Sequence, residues 1–123
     1  MTRWLYWAFF GGLCALVVPG SAKAQDGEIR AEPNPCRIEG GRNDCTTHLI
    51  WHTRGIERAK VFVVAEGRHP AAEKEFSAAS HCEERNCRAP WIEPETRYTF
   101  TLVDFTHGDR GRVLGTVTVT GER

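Results

Sequence analysis

From residue 28 onward the chain alternates apolar and polar side chains in short runs, the period-two signature of half-buried strands. Glu28-Ile-Arg-Ala-Glu32 is the first run, and Pro33 and Pro35 follow it. Proline cannot donate to a ladder, so this strand is expected at a sheet edge, or to bend away there. Gly40-Gly41 and Asn43-Asp44 then mark a turn. Thr47 to Thr53 forms the second run, with Thr47, Leu49 and Trp51 on one side and His48, Ile50 and His52 on the other. The Leu49/Trp51 side is the better core face. Ala59 to Ala65 is a third strand, rich in β-branched residues. Val61 and Val63 share one face, and Lys60, Phe62 and Val64 the other. Arg97 to Phe105 is the most regular run, setting Tyr98, Phe100 and Leu102 against Thr99, Thr101 and Val103. Arg112 to Thr120 closes the series, with Val113, Gly115, Val117 and Val119 on one side.

Two stretches read less simply. Ala71 to Ser80 is alanine-rich and fits either a helical turn or a loop followed by a short strand at Glu75-Phe76-Ser77. Ala89-Pro90-Trp91-Ile92 brings a second tryptophan to the domain. Six or seven short strands, with turn signals between them and no helix of useful length, predict an all-β fold, an antiparallel sandwich. Its expected core is Leu49, Trp51, Val61, Val63, Trp91, Tyr98, Phe100, Leu102, Val117 and Val119.

The start of the chain has a different pattern. Arg3 precedes an apolar run from Trp4 to Val18; Pro19, Gly20 and Ser21 break it, and Ala22-Lys23-Ala24 is a small-x-small cleavage signal. Residues 1–24 read as a secretory signal peptide and residues 25–123 as a single domain. The apolar run is short of the roughly 20 residues a membrane-spanning helix needs. No membrane span is therefore expected after cleavage. Cys14 does not fit a lipoprotein signal, because Leu13 stands where a small residue should precede the lipidated cysteine.

Export changes the charge and cysteine counts. Losing Arg3 and Lys23 leaves fourteen basic residues against sixteen acidic ones, with no basic block. That argues against nucleic acid and anionic membrane surfaces as partners. Four cysteines remain, Cys36, Cys45, Cys82 and Cys87. An even number in a short exported chain predicts two disulfides, for which three pairings exist. The favoured set is Cys36–Cys45, tying the proline-rich segment to the tryptophan strand, and Cys82–Cys87, pinning a hairpin end. A bridge joining two sheets in the antibody manner is not expected. Neither is a metal. Paired zinc cysteines usually have two to four residues between them; the four between Cys82 and Cys87 stand at the end of that range, exported cysteines tend to oxidise, and there is no Cys-x-x-Cys redox motif.

The frame Pro33-Asn-Pro-Cys36, Gly40-Gly41, Cys45-Thr-Thr-x-Leu-x-Trp51-x-Thr resembles bacterial immunoglobulin-like modules of exported proteins. Ala89-Pro-Trp91-Ile92, Tyr98-x-Phe100-x-Leu102 and Val117-x-Val119-x-Gly121 extend the resemblance over almost all of residues 28–121. It implies an immunoglobulin or fibronectin-III-like sandwich of about seven strands. It also implies a tyrosine-corner hydrogen bond from Tyr98. The segment Ser80-His-Cys82-Glu-Glu-Arg-Asn-Cys87 departs from the family, which has a glycine-rich turn there. A shared sandwich does not by itself imply a shared site.

No nucleophile-elbow motif or recognisable carboxylate pair is present, so no catalytic residues and no cofactor are expected. His69 and His107 fall in loops. The chain reads as a periplasmic or secreted, non-catalytic binding or structural module with an envelope or extracellular protein partner. The candidate partner face is His48, Ile50, His52, Phe62 and Val64, the side chains turned away from the presumed core. Two other classes stay open. A carbohydrate-binding accessory module would need an exposed tryptophan in a groove. A periplasmic metal-binding protein would use the surface histidines.

Overall fold

The computed structural model describes residues 26–67, 72–83 and 86–123. The expected signal peptide and cleavage site, and the loop histidine His69, lie outside the described residues. Eight strands make up the fold: β1 (Asp26–Glu32), β2 (Cys36–Arg37), β3 (Cys45–Arg54), β4 (Ala59–Ala65), β5 (Lys74–Ser77), β6 (Arg88–Ile92), β7 (Arg97–Asp104) and β8 (Val113–Glu122). No α-helix occurs among the described residues, and the ambiguous alanine-rich stretch contributes strand β5.

The strands form two sheets, one ordered β1-β3-β6 and the other β2-β8-β7-β4-β5. Pairing is antiparallel throughout except for β2, which runs parallel to β8. That two-residue strand departs from the antiparallel expectation. It arises because the chain changes sheets at the prolines. β1 pairs with β3 as far as Glu32, two cis X-Pro bonds follow at Pro33 and Pro35, and Cys36 lies opposite Gly121 of β8.

Both cysteine pairs form as expected, Cys36–Cys45 and Cys82–Cys87, with Cα atoms 6.1 and 6.4 Å apart. One expectation about them needs correcting. Cys36 lies in the five-stranded sheet and Cys45 in the three-stranded one, so their bridge does join the two sheets. The sheet change at the prolines brings this about, and spacing along the chain could not reveal it. Two disulfides are characteristic of an oxidising, non-cytoplasmic environment.

Alternation places the core as expected along β3, β4 and β7. Leu49, Trp51, Val61, Phe100, Leu102 and Val119 are fully buried, and Tyr98 nearly so. Val63 and Val117 pack against this core while keeping part of their surface. The buried Trp51 indole N–H donates to the Ala79 carbonyl at 3.0 Å, satisfying the one polar atom the ring takes inside. Tyr98 makes the expected backbone bonds: its hydroxyl accepts from Glu93 N–H at 3.3 Å and donates to the Trp91 carbonyl at 3.5 Å. Trp91 itself corrects the core prediction, being 38% exposed. Between β3 and β6, Cys45 lies opposite Ile92 while Thr47 lies opposite Ala89, so β6 holds an extra residue. This bulge turns both Ala89 and Ile92 inward and re-aims the intervening Pro90-Trp91.

Candidate functional site

The outer face of the three-stranded sheet carries a groove of about 930 Å³ lined by Arg30, Glu32, Pro33, His48, Ile50, His52, Glu83 and Asn86. Its floor is the polar-facing side of β3. Because β1 pairs with β3 in register, Glu28 lies opposite His52, Arg30 opposite Ile50, and Glu32 opposite His48. Two contacts here are close, one across the strands and one along β1. Glu28 Oε2 is 2.8 Å from His52 Nε2, and Arg30 Nε is 3.1 Å from Glu32 Oε2. The half-buried Ile50 is thus an aliphatic centre ringed by charged and hydrogen-bonding groups.

The third wall comes from the Cys82–Cys87 loop. Trp51 N–H donates to the Cys82 carbonyl at 2.9 Å, Cys82 N–H returns to the Trp51 carbonyl at 2.8 Å, and Leu49 N–H donates to the Cys87 carbonyl at 2.9 Å. The disulfide loop therefore continues the sheet beyond β6 and brings Glu83 and Asn86 to the groove. Sequence reasoning identified His48, Ile50 and His52 but missed Arg30, Glu32, Glu83 and Asn86. The alternation of β1 carried a signal for the first two. Nothing local announced that a cysteine loop would dock against β3.

The five-residue partner face does not hold together. His48, Ile50 and His52 lie on β3, whereas Phe62 and Val64 lie on β4, in the other sheet. Phe62 is also covered: its ring packs on Phe105 with centroids 5.7 Å apart, and the Arg110 guanidinium lies 4.9 Å from its centroid. Lys60 in turn sits 4.6 Å over Phe105. Val103, expected on that outer side, is fully buried.

Trp91 lines a second pocket, of about 430 Å³, together with Val63, Val64, Lys74, Glu75 and Tyr98. Its indole stacks on Phe100 at 6.1 Å and 23°, and meets Tyr98 at 5.3 Å and Phe76 at 6.4 Å edge to face. These rings fill the gap where β5 and β6 face each other.

The acids with depressed pKa values line neither surface. The Gly27 N–H, at 2.7 Å, and the Arg54 guanidinium hold Asp26 below the usual carboxylate range. Hydrogen bonds from the Thr106 hydroxyl and backbone N–H do the same for Asp104. Among the described residues, no group of three or more His, Cys, Asp and Glu gathers as a metal site. No helix among them is long and apolar enough to cross a membrane. The groove offers donors and acceptors around an aliphatic centre, an arrangement suited to reversible contact. Comparison of the chain with protein-family models, with curated proteins and with solved structures found no match.

Proposed function

We propose that this chain is an exported immunoglobulin-like module, of the fibronectin-III arrangement, that binds a protein partner in the periplasm or outside the cell. The outer-face groove carries the proposal: it sets Ile50 in a polar ring formed by three separate segments of the chain. Interfaces commonly take this form, an apolar anchor inside a hydrogen-bonding rim. The fold reading is supported by the three-plus-five strand order, by the first strand's change of sheet, by buried Trp51 and by the Tyr98 hydroxyl bonding to the preceding turn. The two disulfides support export.

The test is capture from the native cell envelope with tagged, exported protein after chemical crosslinking. Ile50→Glu puts a charge at the groove centre and should reduce recovery of the partner by about tenfold or more, the loss of one anchor residue. Phe62→Glu, on the opposite sheet, should leave recovery unchanged. Equal capture by the Ile50 variant and the native chain would overturn the proposal.

A further inference from the structure

We infer that Trp91 is a stacking platform for a single pyranose ring, making the gap between β5 and β6 a saccharide subsite separate from the outer-face groove. Four observations bear on this. First, the chain had a direct way to hide this indole. Plain alternation along β6 would allow inward burial, yet the bulge opposite Cys45 and Thr47 buries Ala89 and Ile92 and leaves Trp91 38% exposed. Exposing so large an apolar ring costs hydrophobic stabilisation, and bulges recur where a side chain is re-aimed for use.

Second, the ring is held before any ligand arrives. Phe100, Tyr98 and Phe76 fix it by ring contacts, and the Tyr98 hydroxyl is itself tied to the backbone on both sides of Ile92. A preorganised surface loses little entropy on binding.

Third, the surroundings match a sugar. The C–H bonds on a pyranose face are weakly electropositive and complement the electron-rich face of an indole. The hydroxyl rim needs both donors and acceptors. Lys74 supplies an ammonium at the pocket wall. Glu75, also in that wall, adds a carboxylate, held by Lys60 through Oε1 at 2.8 Å. Val63 and Val64 supply an aliphatic side.

Fourth, the site suits one ring and not an extended peptide. The strongly exposed large apolar residues among those described are Trp91 and Val113, and Val113 does not line this pocket. A proline-rich peptide needs a track of spaced aromatic rings. A pocket of about 430 Å³ is within the usual range for small ligands.

The experiment is calorimetric titration of the exported protein with four soluble tetrasaccharides, from chitin, cellulose, starch and mannan, followed by NMR of the indole N–H signals. One or more should bind at millimolar concentration, moving the Trp91 signal while that of the buried Trp51 stays in place. Trp91→Ala should weaken binding by about tenfold, the value of one aromatic stack. Lys74→Ala, on an exposed side chain, should weaken it several-fold with the melting temperature unchanged, so the proposal does not depend on the stability of the tryptophan variant. Ile50→Glu should have no effect on sugar binding. Failure of all four sugars to bind, or a moved Trp91 signal with a proline-rich peptide alone, would overturn the inference.

Discussion

Where β1 comes up against β8, two glycines let the backbones approach; where β5 faces β6, aromatic rings fill the space. On the first side, a Cβ at Gly27 would stand 3.1 Å from Leu102 Cδ2 and 3.2 Å from Leu114 Cβ. A Cβ at Gly115 would stand 3.5 Å from Ile29 Cγ2. One glycine on each strand thus draws the edges together, and the Cys36–Cys45 bridge fastens the same end of the chain across the sheets. On the second side, Trp91, Phe76, Tyr98 and Phe100 keep the edges apart. The difference teaches a division of labour. The closed side is cheap in side chains and adds stability, whereas the open side leaves part of an indole in water.

That contrast can be broken by experiment. The largest effect is expected from replacing Cys36 and Cys45 together with serine. Releasing so short a loop should cost about 2–3 kcal/mol in denaturant unfolding. A cost near zero would mean that the staple does not constrain the closed side. Next is Gly115→Leu, whose side chain has no room between β8 and β1 and should cost about 2 kcal/mol by overpacking. Gly115→Ala sharpens the point, since its Cβ would make ordinary contact and relieve the entropic penalty of glycine in a strand. It should be neutral or stabilising by about 0.5 kcal/mol. The smallest effect belongs to the open side. Trp91→Phe keeps a ring in the stack on Phe100 but gives up part of its edge contacts, and should cost about 1 kcal/mol. A loss larger than that of the cysteine pair would make the open side the mainstay of the fold and reverse the comparison.

Much of this architecture was legible in residue order. The alternation around Trp51 and Phe100 identified the core sides of β3 and β7, because a strand has only two faces. Pro33 and Pro35 marked the end of β1, because they lack donors. The cysteine pairs were foreseen as local loops. Three things were not legible, and each has its own reason. β2 spans two residues, Cys36–Arg37, too few to show any period. The pattern puts Trp91 in the core because a bulge changes phase without any marker in the residues themselves. The partner face spans β3 and β4 in the sequence pattern because nothing local records that the loop between them carries the chain to the opposite sheet.

The sequence by itself therefore determined which way side chains turn within a strand, where strands stop and which cysteines meet. These are short-range matters, set by pleat geometry, by proline and by loop length. Only the tertiary structure decided which strands lie side by side. That choice separates Ile50 from Phe62, brings Glu83 and Asn86 to the groove, and leaves Trp91 at the open edge. Strand partnership depends on contacts between residues far apart in the chain. Period-two patterning treats every buried face alike and carries no record of which other face will cover it.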